Sequence, residues 1–211
     1  MSYPYNIELP TLVIRSHEQA ERLGFPMMPQ GRPIGKSAPT TTITPADGAL
    51  LRALVAGYPA GRICEIGTGA GVSTAWLISG MLPNSSLLSC EINPKLAIAA
   101  ISFFKEFQFV EIRAGDWSQV LSSEAPFDLL FFDANAREVL MDADNWPQVA
   151  SLVRIGGKII MDDLTPVELW PPEWKDNIDY KREFCLCNPQ IAGVEVRTTK
   201  NTVSLICTRI Y

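Results

Sequence analysis

The feature that most constrains the fold is a regular alternation of short apolar runs with helical segments. The apolar runs have the length of buried strands and lie at 62–66, 86–90, 110–113, 127–132 and 158–161. Segments with helical spacing follow them, at 72–81, 95–106, 117–122 and 137–152. Pro147 must kink or divide the last of these helices. Strands that alternate with helices form parallel βαβ units, so we predict an α/β, Rossmann-like doubly wound sheet.

The two ends of the chain depart from this alternation. A helix is predicted over 175–187, and the β-rich runs 193–198 and 202–208 then follow with three residues between them. Three residues are too few for a crossover helix, so these runs form an antiparallel hairpin. At the other end, residues 26–48 are rich in Pro, Gly and Thr. We expect residues 1–44 to be an irregular segment that covers the site, and residues 45–211 to be a single domain.

The boundary between these two parts carries a helix start signal. Thr44 suits the N-cap position and Pro45 suits the first helical position. The helix that they begin would present Leu50, Leu51 and Leu54 on one apolar face.

Composition removes several classes of function. The chain has 211 residues and a net charge of −5, which argues against a nucleic-acid partner. No apolar run has the length of a membrane span, and the first residues lack a signal peptide, so we expect a cytoplasmic protein with no membrane partner. The single histidine, His17, lies in a polar stretch and is expected at the surface. The five cysteines contain no CxxC pair, which excludes a zinc ribbon.

A glycine-rich turn joins the first strand to its helix. Its sequence is Gly67-Thr68-Gly69-Ala70-Gly71, and Glu65 lies two residues before it. Glycines let a ligand approach the backbone closely, and the helix that follows offers unpaired N–H groups. Glu91 lies twenty residues beyond Gly71, at the end of the second strand, where an acid can accept hydrogen bonds from both ribose hydroxyls. The pattern favours a nucleoside ligand over a tight turn that binds nothing.

The acid followed by GxGxG, together with the terminal hairpin, resembles the class I S-adenosylmethionine (SAM)-dependent methyltransferases. In that family the loop holds the amino-acid part of the cofactor. The resemblance implies that Asp116 accepts a hydrogen bond from the adenine amino group and that Trp117 covers the adenine face, although Trp117 also suits plain core packing. The full set of cofactor-binding residues implied by the resemblance is Glu65, Gly67, Thr68, Gly69, Ser73, Glu91, Ile92, Gly115, Asp116, Trp117 and Asp133.

Carboxylates follow the fourth and fifth strands. Asp133 ends one, and Asp162 and Asp163 end the other, so the three side chains are expected at one edge of the sheet. Like charges this close need a cation or protons, and carboxylate oxygens suit Mg²⁺ or Ca²⁺. The arrangement resembles the cation-dependent O-methyltransferases of the catechol and caffeoyl-coenzyme A type. That resemblance implies a metal on all three aspartates, a catalytic role for Asp133, a small catechol-like methyl acceptor and a homodimer.

Two positions depart from that family and leave alternatives open. Asp163 stands where the family has Asn, and Ala136 stands where it has a catalytic lysine. Arg137 is adjacent, but a guanidinium is a poor proton acceptor. A metal-independent methyltransferase acting on another acceptor and a non-catalytic cofactor-binding module are therefore alternatives. A dinucleotide-dependent oxidoreductase is the weakest, because the glycine spacing and the hairpin oppose it. Trp170 and Trp174 could form the wall for an aromatic acceptor or could pack in the core.

Overall fold

The computed structural model describes residues 7–28, 41–124, 126–134 and 136–211. Within these ranges seven strands form one sheet in the order β3-β2-β1-β4-β5-β7-β6. The strands are β1 (Arg62–Ile66), β2 (Ser86–Glu91), β3 (Val110–Ala114), β4 (Phe127–Phe132), β5 (Val153–Leu164), β6 (Ile191–Arg197) and β7 (Val203–Arg209). The first five pair in parallel, whereas β7 pairs antiparallel with both β5 and β6. The predicted doubly wound sheet with its antiparallel hairpin is confirmed.

Helices precede the first strand, connect the parallel strands and lead into the hairpin. They are α1 (Thr11–Arg22), α2 (Pro45–Val55), α3 (Val72–Gly80), α4 (Pro94–Phe104), α5 (Trp117–Val120), α6 (Ala136–Leu140), α7 (Trp146–Ser151) and α8 (Tyr180–Cys187). Thr44 caps α2 as its sequence predicts, because its side chain accepts a hydrogen bond from the Asp47 amide at 3.1 Å. No helix in the described ranges is long and apolar enough to cross a membrane.

The hydrophobic core lies on both faces of the sheet, and β4 shows how one strand serves both. Phe131 packs with the cluster that contains Val13 and Trp76, whereas Phe132 packs with the opposite cluster, around Phe184. Successive side chains of a strand point to opposite faces, so a continuous apolar run buries residues in both layers. This burial fixes the position at which β4 ends, and therefore the position of Asp133.

Several boundaries differ from the sequence expectations. Residues 11–22, inside the segment expected to be irregular, form α1. Val13 and Ala20 lie on the same face of this helix and are buried in the cluster that contains α3. The predicted helix 137–152 is divided into α6, a 3₁₀ turn and α7, with Pro147 near the start of α7. The helix predicted from residue 175 begins only at Tyr180.

The fifth strand is also longer than predicted. It starts at Val153 and passes through Gly156 and Gly157, where its register against β4 shifts. The segment 29–40, which carries much of the predicted Pro- and Gly-rich stretch, lies outside the described residues. The division of the chain at residue 44 stays a prediction.

Candidate active site

The order of the parallel strands reverses at β1, because β2 and β3 are added on one side of it and β4 and β5 on the other. Ligands of doubly wound sheets bind in the crevice that this reversal opens beyond the carboxyl ends of the strands. A cavity of about 730 Å³ lies there in the described structure. It is lined by residues that follow β1, β2, β4 and β5 and by the first part of α8. Its volume falls within the roughly 300–1,000 Å³ typical of small-molecule sites.

The glycine loop forms one wall of this cavity. Gly67 has φ +98°, and a Cβ there would meet the Cβ of Ala134 at 2.6 Å, so only glycine fits. Its amide donates to the Cys90 carbonyl at 2.9 Å, which ties the loop to β2. Gly69 also has a positive φ, +52°, but a Cβ there would meet nothing within 4 Å. Gly67 therefore sets the shape of the loop, whereas Gly69 borders the open space where a ligand can approach the backbone.

Glu91 lies against the same wall and is held by two backbone groups. One carboxylate oxygen accepts from the Gly69 amide and the other from the Asn93 amide, both at 2.8 Å. Glu91 lines the cavity, and each of its oxygens keeps a second lone pair that can accept a further hydrogen bond. The arrangement presents a carboxylate of fixed orientation beside the glycine loop, as the sequence predicts for a ribose-binding acid.

Glu65 lies beneath the loop and is fully buried. One of its carboxylate oxygens accepts hydrogen bonds from the hydroxyls of Thr74 and Ser89, at 2.6 and 2.7 Å. Burial raises the pKa of Glu65 to about 7, while nearby hydroxyl groups oppose that shift. Among the described residues Glu65 is not part of the cavity wall. Its place is in a buried network under the loop, and a direct cofactor contact stays a prediction.

Four of the predicted cofactor-binding residues, Ile92, Gly115, Asp116 and Trp117, are not among the described lining residues of the cavity. Ile92 is exposed, and Gly115 precedes Asp116, whose side chain caps α5 by accepting from the Ser118 amide at 2.9 Å. Trp117 packs against Phe132, with ring centroids 5.8 Å apart. That packing matches the alternative anticipated for Trp117, and the adenine roles stay predictions. Thr68, Ser73 and Asp133 do line the cavity.

The three aspartates predicted to bind a metal do not face one point. Asp133 and Asp163 line the cavity, whereas Asp162 is 3% exposed and is not among the described lining residues. Successive residues of a strand point in opposite directions, and Asp163 adds a positive φ of +60° where β5 and β7 lose register. In the described part of the chain, no group of three His, Cys, Asp or Glu side chains is placed to hold a metal. These residues do not fit the predicted metal site.

Asp162 is buried among other acids. Its Oδ1 has no hydrogen-bond partner within the described residues. Burial raises the pKa of Asp162 well above its usual range, and Asp133, Asp163 and Asp47 add to that shift, while Lys181 opposes it. The buried position therefore disfavours the charged form of Asp162 relative to an exposed aspartate.

Aromatic side chains from the segment after β5 form another wall of the cavity. Trp170 and Trp174 both line the cavity. The Trp170 indole N–H donates to the Thr165 carbonyl at 3.0 Å, and Arg182 donates to the same carbonyl while its guanidinium lies 5.5 Å from the Trp170 ring centroid. Arg182 also pairs with Asp179 and Glu195. The sequence interpretation allowed an aromatic wall here. It had no signal for the contacts that Arg182 makes with Thr165, Asp179 and Glu195, because those to Thr165 and Glu195 join residues distant in sequence, and we call this set of contacts the Arg182 clamp.

The sequence analysis gave no role to Lys181 and placed His17 incorrectly. Lys181 lines the cavity and donates from Nζ to the Asp162 carbonyl at 3.0 Å. His17 was expected at the surface, but it is 9% exposed and its Nδ1 lies 3.5 Å from the Thr42 hydroxyl, on the cavity wall. The surface expectation is wrong because α1 is a packed helix, and burial lowers the pKa of His17 while Glu21 opposes that shift.

Comparisons with known proteins identify similar sequences and similar folds. Residues 64–164 match a family described as a methyltransferase domain. A Mycobacterium tuberculosis protein named "Probable O-methyltransferase" is 36% identical over 126 residues, 56% of this chain and 54% of that protein. The chain thus spans about half the length of the curated relatives it matches. The matched family region contains the glycine loop, Glu91 and all three aspartates.

Solved structures extend the similarity of fold to nearly the whole chain. The O-methyltransferase TomG from Streptomyces achromogenes, involved in tomaymycin synthesis and solved in complex with SAM, has a TM-score of 0.72 and 20% identity over 97% of this chain and 92% of its own. An O-methyltransferase from Bacillus cereus, in complex with S-adenosylhomocysteine (SAH), has a TM-score of 0.71 and 21% identity over 96% and 92% of the two chains. The class I methyltransferase fold predicted from the sequence is therefore confirmed.

Proposed function

We propose that this protein is a SAM-dependent O-methyltransferase that acts on a small-molecule hydroxyl. The observation that carries the proposal is the pairing of Gly69 with Glu91 on the wall of a cavity that also holds Asp133 and two tryptophans. The O-methyltransferase names of similar proteins support the same activity. A homodimer and a cytoplasmic location remain predictions.

In this proposal the glycine-loop wall binds the cofactor. Glu91 accepts hydrogen bonds from the ribose hydroxyls, while the backbone at Gly67 and Gly69, with Thr68 and Ser73, surrounds the amino-acid part. Asp133 also lines the cavity, and in this proposal it orients the reacting groups. The acceptor oxygen attacks the methyl carbon, and the carbon–sulfur bond breaks with its electron pair moving to sulfur. The products are a methyl ether, SAH and a proton, and most of the acceleration comes from positioning.

The first experiment measures SAH binding by calorimetry to the wild type, Glu91→Gln and Glu18→Gln. Glu91→Gln removes a charge that two backbone amides orient, so SAH affinity is expected to fall about ten- to a hundredfold. Glu18 is exposed on α1, so the matched change there leaves affinity unchanged. Equal affinity in all three proteins would contradict the assigned ribose site, and no binding of SAH to the wild type would contradict the methyltransferase proposal.

The sequence also predicts metal assistance and a catechol-like acceptor, and a second experiment tests both predictions. Transfer of a labelled methyl group from SAM to a panel of phenols and catechols is measured with EDTA and with added Mg²⁺. Because Asp162 is buried away from the described cavity wall, we expect transfer to continue in EDTA. Activity that EDTA abolishes and Mg²⁺ restores would instead assign the aspartates to a metal. SAH binding without product from any acceptor would favour a non-catalytic binding module.

A further inference from the structure

The charges around the cavity pose a chemical problem for hydroxyl methylation. The described lining residues include five carboxylates, those of Glu91, Asp133, Glu138, Asp163 and Asp179. A hydroxyl becomes a strong nucleophile when it loses its proton, yet nearby negative charges oppose the formation of an oxyanion. The acceptor oxygen therefore needs a positive charge beside it, in addition to the sulfonium of the cofactor.

Two cationic side chains are among the described lining residues. Arg137 is exposed on the short helix α6. Lys181 is half-buried, and one of its N–H groups donates to the Asp162 carbonyl at 3.0 Å. An ammonium group has three donors, so two remain for a ligand. Lys181 is therefore a cation at a fixed position with donor capacity left over.

The first turn of α8 holds this ammonium in place. The Asp179 side chain caps the helix by accepting from the Arg182 amide at 3.2 Å. Arg182 ties the same turn to the Thr165 carbonyl and to Glu195. One turn later, Phe184 and Cys185 are fully buried. Because the helix is anchored on three sides, an ammonium here needs little reorganisation to meet a charge that develops in the cavity.

We infer that Lys181 is a catalytic residue that contacts the acceptor oxygen and stabilises its deprotonated form. The inference rests on the proposed function and adds the group that makes the hydroxyl reactive. Lys181 keeps its own proton throughout. The acceptor's O–H bond breaks with the proton passing to water, the oxyanion attacks the methyl carbon, and the carbon–sulfur bond breaks to leave SAH. The acceptor class that this charge and the tryptophan wall fit together is a phenol.

The test follows the ionisation of 4-nitrophenol, whose phenolate absorbs visible light, when it is bound to the SAH-loaded protein in EDTA. An adjacent ammonium is expected to lower the pKa of bound 4-nitrophenol by about one unit or more relative to 4-nitrophenol free in solution. Lys181→Arg keeps the positive charge and should retain the shift, whereas Lys181→Gln should abolish it. Lys175→Gln is the matched control, because Lys175 is exposed and is not among the described lining residues.

Calorimetry with SAH on the same samples separates the two proposals. If SAH fails to bind to the wild type, the methyltransferase proposal is wrong and the role of Lys181 falls with it. If SAH binds equally to all variants while 4-nitrophenol does not bind, or titrates alike in wild type and Lys181→Gln, only the role of Lys181 is overturned. If the pKa of bound 4-nitrophenol were lowered with Mg²⁺ but not with EDTA, a metal would replace Lys181 in this role. A lowered pKa that Lys181→Arg retains and Lys181→Gln loses supports the role of Lys181.

Discussion

The two walls of the cavity are held by different kinds of contact. On the glycine-loop side, backbone groups make the decisive bonds, from Gly67 to the Cys90 carbonyl and from Gly69 to Glu91. On the tryptophan side, side chains make them, and Arg182 joins Thr165, Asp179 and Glu195 around Trp170. A wall formed by backbone groups tolerates few substitutions and suits a ligand that stays the same among related proteins, such as a cofactor. A wall held by side chains can change its residues while the strands stay in place.

The largest expected effect separates two glycines of the same loop. Gly67→Ala places a methyl group 2.6 Å from the Ala134 Cβ at a positive φ, so we expect the free energy of unfolding to fall by about 3–5 kcal/mol. Gly69→Ala meets no atom within 4 Å, and we expect it to cost about 1 kcal/mol for its left-handed backbone. Urea denaturation measures both. Equal losses would show that the contact with Ala134 does not constrain the loop.

The next effect concerns the acid under the glycine loop. The folded state keeps a proton on Glu65 up to about pH 7, whereas the unfolded chain releases it near the usual pKa of 4.5. The unfolded state thus binds fewer protons in that window, so stability falls as pH rises from about 4.5 to 7. Glu65→Gln removes this pH-dependent loss. The difference in unfolding free energy, variant minus wild type, should therefore rise by about 2–3 kcal/mol between pH 5 and pH 8.

Glu18→Gln, measured at the same two pH values, is the matched control for Glu65→Gln, because Glu18 is exposed on α1. Its stability relative to wild type should not change with pH. A Glu65→Gln profile that is equally flat would mean that Glu65 is ionised in the folded protein at pH 5.

The smallest effect tests the tryptophan side. Arg182→Gln removes the pairs with Asp179 and Glu195 and loosens the wall at Trp170, for an expected loss of about 1–2 kcal/mol in unfolding free energy. SAH affinity should be unchanged, while KM for a phenol acceptor should rise about fivefold. Arg197→Gln removes a pair with exposed Glu168 and should cost less stability than Arg182→Gln, because solvent screens that pair. If Arg182→Gln weakened SAH binding as much as acceptor binding, the two walls would not act independently.

The same contrast explains what could be predicted from the sequence. Local patterns such as the strand before Gly67, the glycine spacing and the Thr44 cap predicted the parallel sheet, the glycine loop and the start of α2, because each depends on neighbouring residues. The Arg182 clamp and the donor from Lys181 to the Asp162 carbonyl join separate elements, and no periodicity marks them. Helix α1 was missed because Ser16 and His17 are buried on its inner face, where an apolar stripe was expected.

One contact near the cavity joins two distant parts of the chain. The Ser204 hydroxyl on β7 donates to the Asp47 carboxylate at the start of α2, at 2.7 Å. Asp47 is 1% exposed, and the same carboxylate accepts a hydrogen bond from the Thr44 hydroxyl, two residues beyond cavity-lining Thr42. During synthesis β7 must leave the ribosome before this bond can form, although Asp47 leaves it 157 residues earlier. The contact that holds the start of α2 against β7 is therefore expected to form late in an otherwise sequential assembly.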